Sequence, residues 1–459
     1  MRAVLALLLA APPALGLVRP VGLRGAARRG TVVACDGPEL VGPAHVPLPP
    51  ILQSLSHAQE AGLGSAALLG ATALSLSLAN APATAKAWLA VWDTQLGPAI
   101  GAHHLTLRGW INEGLMAIFF FIVGLEMKIE MRVGSLASLR KAALPCIAAL
   151  GGMVTPMGVY FVVQRLMGGG SMCALTVPMA TDIAFAMAVY GLFRKRMPAA
   201  ASAFLLTLAT VDDLGAILVL ATCFASHVSL PFLGATAAVT AGLAAFGRTL
   251  ASDLRAFAAG GAVLWYCLLR SGVNADIAGV LAAFCISTRA KYTGPKGEQE
   301  DLMHRAVLRL SPISTFFIMP LFALANTAVP LGSAATASAS AAAAAAAKAA
   351  TAASVAPALG IGAGLLIGKP LGIFLFSLLA TKTGLAALPA GMSKSHLGIV
   401  GVLGGIGFTM CLLLTEVAMP ASQRALPKIV ILLSSLVASV IAAAAMRSQP
   451  VLASDDKVA

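Results

Sequence analysis

Charge is scarce in this chain. Asp, Glu, Lys and Arg make up 11% of its 459 residues, against 59% hydrophobic residues. Such a balance excludes a water-soluble domain of this length. Apolar runs of about 20 residues recur throughout, too long for barrel strands, so the fold class read from them is an all-α polytopic membrane protein in a lipid bilayer. Acids are scarcer than bases, 18 against 31, leaving a net charge of +13. The bases fall in short loops, where membrane topology accounts for them and no nucleic acid is needed. C-x-x-C pairs are lacking as well. The seven cysteines (35, 146, 173, 223, 267, 285 and 411) are scattered, mostly inside apolar runs, which excludes a zinc or disulfide framework and reads as small buried apolar residues.

Acid is absent altogether before Asp36. Residues 1–16, MRAVLALLLAAPPALG, have the one-Arg, short-apolar, small-residue pattern of a secretory signal. Residues 17–34 hold Arg19, Arg24, Arg28 and Arg29, as a transit segment does. Together, residues 1–50 read as a two-part targeting leader like those of plastid proteins in algae whose plastids have extra membranes; a plasma membrane or mitochondrion is the alternative destination. The membrane domain then occupies 51–449 and a short tail 450–459.

Twelve spans are expected, near 60–80, 109–127, 142–164, 174–193, 199–222, 229–247, 256–270, 273–288, 311–330, 356–380, 397–418 and 427–446. Trp110 and Trp265 sit at or near span ends, as interfacial aromatics do. The loops after even-numbered spans and the C-terminal tail hold 18 Lys and Arg against 7 in the others, which puts both termini on the cytoplasm-like side. Residues 333–355 are an alanine-rich, low-complexity stretch in an outer loop and read as an insertion.

Within this apolar chain a few charges stand in the wrong place. Asp182 lies in the fourth expected span and the pair Asp212–Asp213 in the fifth. An ionised Asp at the centre of a membrane helix costs about 3 kcal/mol on insertion scales. A neutral Asn or Ser would hold helices together at lower cost, so three such acids point to a wet cavity, a cation or a proton. Lys369 is equally deep in LGIGAGLLIGKPLGIF and needs a carboxylate, for which these acids are the obvious source. Span eleven, GIVGVLGGIGFTM, crowds Gly398, Gly401, Gly404, Gly405 and Gly407 together. Composition alone favours close helix packing there over local unwinding.

The runs ATDIAF (180–185), VDDLGA (211–216), FALAN (322–326), GKPLGI (368–373) and GIGFTM (405–410) resemble the NhaA-type sodium/proton antiporters, as do GLEMKIEM (124–131) and GSLASLRKAALP (134–145). The likeness runs in order from about 60 to 446. It implies inverted repeats relating spans three to five to spans ten to twelve. It also implies two discontinuous helices, spans four and eleven, that unwind near Thr181–Asp182 and Gly404–Gly407 and cross. Half-helix ends then carry partial charges, which Asp182 (positive ends) and Lys369 (negative ends) would offset. The implied activity is exchange of Na+ or Li+ for protons, for pH and sodium homeostasis, with no cofactor. By the same likeness Asp213 is the main Na+ ligand, Asp212 stands beside it, and Thr181 and Asp182 contribute. Asp212 is also the natural partner of Lys369. Glu126 and Glu130 are candidates for a pH response, and a homodimer is an admissible assembly.

The residues themselves suit that chemistry. Sodium is a hard cation that takes oxygen ligands, and carboxylates in a wet cavity supply them. Adjacent acids repel in a low dielectric, so protons and sodium compete for the same oxygens. Three departures from the family pattern concern pH activation. Asn274 in SGVNADIAGV stands where histidine is usual, with the unusual acid Asp276 close by; AVLRLSPIS (306–314) lacks a Glu-His pair; Ile129 replaces a common arginine. Asp276 is expected to cap the start of span eight. An enzyme is the rival class, since intramembrane aspartyl proteases also use two acids on separate spans. They require Tyr-Asp and Gly-x-Gly-Asp, whereas Thr181 precedes Asp182 and Val211 precedes Asp212. A cation channel is the third reading, to be separated by transport measurements.

Overall fold

The computed structural model describes residues 57–97, 104–167, 172, 174–225, 228–249, 253–288, 290–293, 299–330 and 354–451. The leader, nearly all of the alanine-rich stretch, most of the tail, Cys35 and Cys173 lie outside the described residues.

The elements are α1 (His57–Asn80), α2 (Ala85–Asp93), α3 (Met116–Arg132), α4 (Leu139–Leu166), α5 (Ile183–Leu192), α6 (Ala199–Cys223), α7 (Leu230–Arg248), α8 (Leu254–Ser271) and α9 (Ile277–Cys285). A two-stranded ribbon follows, β1 (Lys291–Thr293) antiparallel to β2 (Gln299–Asp301). Then come α10 (Leu302–Asn326), α11 (Ser354–Lys382), α12 (Lys394–Gly404), α13 (Phe408–Ala418) and α14 (Ala425–Arg447).

By length and apolarity α1, α4, α6, α7, α10, α11 and α14 can each cross a membrane, and α12 with α13 forms an eighth, broken span bent by 42°. The other four expected positions hold helices that are shorter, broken or more polar: α3, α5, α8 and α9. The outward faces are apolar. Leu371, Leu375 and Leu379 recur every four residues on α11, and Leu433, Leu436, Val437, Val440 and Ile441 line α14, all exposed. A stripe of that kind suits lipid, not water.

Three departures from the expected layout have local causes. Span nine begins at Leu302, not 311, because Asp301 caps it, its Oδ1 accepting from Met303 N at 3.1 Å. Its first turns carry His304, Arg305 and Arg309, which mask the helix from a hydropathy reading. Span eight is helical only over Ile277–Cys285, because Gly272 turns the chain at φ 79° and Asn274 holds the turn before it. The ribbon and α2 were not legible as spans because neither is one.

The core is organised by two crossings. At the first, α4 meets α11 glycine to glycine: a Cβ added at Gly151 would overlap the Gly372 carbonyl oxygen, and one at Gly372 the Gly151 carbonyl oxygen. Backbones this close require glycine on both sides. At the second, two broken helices meet. One is a 3-10 turn Val177–Met179, extended Ala180–Asp182, then α5; the other is α12, Gly405–Gly407, then α13. Asp182 N donates to Ile406 O across the crossing at 2.7 Å. Span three thus meets span ten and span four meets span eleven, the pairing that inverted repeats imply. The glycines of span eleven serve both readings. The helix breaks at Gly404–Gly407, and Gly405 and Gly407 also let it approach Leu365 of α11.

Candidate ion-binding site

Unwinding a helix frees its backbone groups, and in a dry core each must find a partner. The crossing supplies them with side chains. Asp182 is the N-cap of α5, its Oδ1 accepting from Phe185 N at 3.0 Å. Its Oδ2 accepts from Thr409 N at 3.1 Å and from the Thr409 hydroxyl at 2.5 Å. Thr409 opens α13, so one carboxylate serves the N-termini of both half-helices. The carbonyl ends are met by donors. Lys369 Nζ donates to Met179 O, and Thr181 Oγ1 lies 3.0 Å from Gly404 O. Cys411 Sγ donates to Val177 O at 3.0 Å, so this buried cysteine has a polar task as well as an apolar one. Cys223 is exposed, against the expectation for it.

Asp212 and Asp213 come to this crossing from the middle of α6, both fully buried. Asp212 Oδ2 accepts from Thr181 Oγ1 at 2.7 Å and pairs with Lys369 Nζ at 2.6 Å. Its other oxygen, Oδ1, has no hydrogen-bond partner, and neither has Asp213 Oδ1. Consecutive residues on a helix point about 100° apart, so the two carboxylates do not present identical faces. Asp182 and Lys369 are nonetheless within electrostatic range of Asp213. Two buried carboxylate oxygens without donors, beside carbonyl and hydroxyl oxygens, are the donor set a hard monovalent cation or a proton would fill. No group of three or more His, Cys, Asp or Glu arranged to hold a resident metal occurs among the described residues.

The family described as Na+/H+ antiporter 1 matches residues 56–446, most of the chain. This chain belongs to that family. It is similar to the Na(+)/H(+) antiporter NhaA of Shewanella amazonensis, 39% identical over 384 residues, covering 82% of this chain and 92% of that one. The proteins of the same name from Shewanella pealeana (38% over 357 residues, 77% and 86% covered) and Mesorhizobium japonicum (38% over 390 residues, 84% and 92%) are alike.

For this member of the Na+/H+ antiporter 1 family, the remaining candidates divide. Glu126 is exposed and within electrostatic range of Asp213. Glu130 is occupied structurally. Its Oε1 accepts from Ser135 N at 2.7 Å and from Thr207 Oγ1 at 3.0 Å, tying the end of α3 to α6. Asp276 does not cap α9. Asn274 Oδ1 takes Asp276 N at 2.9 Å, Asp276 itself has helical φ and ψ, and its carboxylate makes no cap bond. The turn is held instead by Asn274, whose side-chain oxygen reaches forward to the amide two residues on, as in an Asx turn.

Sequence reasoning also missed three partners. Thr409, Met179 and Ile406 act through a hydroxyl, an amide or a carbonyl, none of which stands out in an apolar run. Lys128, counted as a loop charge, turns back to donate to Phe284 O at 2.6 Å and to Ile286 O, closing the C-terminus of α9.

Proposed function

We propose that the chain is a secondary active transporter exchanging Na+ or Li+ for protons, by competition of both ions for Asp212 and Asp213. The observation that carries this is the pair of adjacent, fully buried carboxylates, each with an unpartnered oxygen, at the crossing of two broken helices. The names of the similar proteins support the choice of ions. Asp213 is the main ligand; Thr181 and Asp182 shape the site through the hydrogen bonds already described. Competition at one site, combined with alternating access, suffices for exchange. Exchange of unequal charge couples to voltage at about 2.3 kcal/mol per charge per 100 mV. In proteoliposomes with an imposed proton gradient, sodium is expected to release protons and dequench a pH-sensitive dye. Sodium flux without counter-moving protons would instead indicate a channel.

We assign the pH response to Glu126 ahead of Glu130, since the latter's hydrogen bonds give it a structural task. A homodimer is carried as the assembly by family likeness. For destination, the bacterial relatives favour a plasma membrane, and only the composition of residues 1–50 supports a plastid. A fluorescent fusion of residues 1–50 decides between them: entry into plastids is expected from the leader, and retention at the plasma membrane or in mitochondria overturns it.

A further inference from the structure

Not every acid of the membrane domain is used by this mechanism. Asp276 is 1% exposed, and neither of its carboxylate oxygens has a hydrogen-bond partner. A carboxylate in such a place needs a positive charge, from a side chain, a metal cation or a proton.

Packing supplies its neighbour. Gly279 of α9 lies against the Ala117 carbonyl and Phe121 amide, and Val280 and Ala283 lie against Gly124, one turn further on in α3. The two helices therefore run in the same direction. The turn before α9, with Asp276, sits beside the π-helical turn Trp110–Leu115 that leads into α3 and carries Glu113. The two carboxyls are within electrostatic range of each other.

No salt bridge to either carboxyl is found among the described residues, and Arg108, on the turn just before Trp110, is directed to Asp93 at 3.9 Å. Arg270 is turned to the rings of Phe232 (4.6 Å) and Tyr266 (6.0 Å). Lys128 is engaged at the opposite end of α9. Arg248 is at the far end of α7, and Asn112 and Asn326 are bonded to each other in both directions. Over the pair, Trp110 and Trp265 stack at 5.6 Å, and Trp265 Nε1 donates to Glu113 O at 2.9 Å. With Leu105, Leu269 and Ala275 they make an apolar cluster of their own.

We propose that Asp276 and Glu113 form a second site, separate from Asp212–Asp213, at which a monovalent cation takes the place of a proton. The exchange balances as one proton released from the carboxyl pair to water for each cation bound between its oxygens. The indole stack gives that site a dry wall, which strengthens the attraction for a cation once it has entered.

The site is tested on the purified full chain by radioactive sodium binding at alkaline pH, with lithium as competitor. The Asp212→Asn, Asp213→Asn double variant removes the central site alone. It is expected to keep one sodium per chain and to release protons when sodium is added. Adding Asp276→Asn or Glu113→Gln should lower the remaining affinity by at least about tenfold. Residual binding that ignores both changes, or none at all in the folded double variant, overturns the proposal. Should the double variant fail to fold, stoichiometry decides. Wild type is expected to bind two sodium ions and Asp276→Asn one, and equal stoichiometry in the two overturns it. Loss of exchange in the double variant speaks to the central site; the sodium it retains speaks to this one.

Discussion

Asp213→Asn is expected to reduce sodium-dependent proton release in proteoliposomes to background, a loss of at least about 100-fold, while the protein still inserts and purifies. A loss of that size corresponds to about 2.8 kcal/mol at the site. The argument is one of available oxygens. Asp182 has given both of its oxygens to helix starts, and Asp212 has given one to Thr181 and Lys369. Asp213 is the acid whose task in holding the fold is least, since it makes none of the bonds that close the crossing. Replacing it by a neutral amide removes a like charge beside Asp212 and so leaves melting temperature unchanged or raised. Wild-type proton release from the Asp213→Asn variant would refute the assignment.

Lys369 is expected to behave in the opposite way, as a structural charge first. It is among the largest fully buried side chains and holds Asp212 and the Met179 carbonyl together. Lys369→Gln leaves a buried carboxylate without its cation and the carbonyl with a weaker donor, and breaking a buried pair in this way costs about 3–5 kcal/mol. Melting temperature in detergent should fall accordingly. A second change, Asp212→Asn, should restore part of the loss, because the orphaned acid is then gone. Current on a supported membrane should fall only in proportion to the folded protein, with the charge moved per cycle unchanged. If the lysine variant lost its current with exchange and stability unchanged, Lys369 would be part of the proton-coupling machinery instead.

The charges of the candidate site could be read from the chain because they are out of place: Asp182, Asp212, Asp213 and Lys369 stand in runs where ionisable groups are costly. Helix positions followed from the same contrast, so α4, α6, α7, α11 and α14 lie within a few residues of their expected limits. What stayed hidden was relational. That Thr409 would share Asp182 with α5 depends on where two chain breaks meet, 227 residues apart in sequence. That Asn274 and not Asp276 would hold the turn before α9 depends on a difference of two residues in one bend, which composition cannot rank. Basic segments ahead of α10 hid its first turns. Glycine crowding at 398–407 was ambiguous because close approach and helix breakage ask for the same residue.

Asp182 has one more consequence, for motion. Three donors end on its carboxylate, and two of them, the Thr409 amide and hydroxyl, come from α13. Asp182 itself travels with α5, so pulling α5 away from α13 would strand both Thr409 donors in a dry interior. At about 1–3 kcal/mol for each buried group left unsatisfied, that rupture would cost about 2–6 kcal/mol, and the Asp182 amide would lose Ile406 as well. The two starts are latched. Opening to one side and then the other must carry the crossing along as a single rigid piece, and the sliding surfaces have to be sought at its borders with the rest of the bundle.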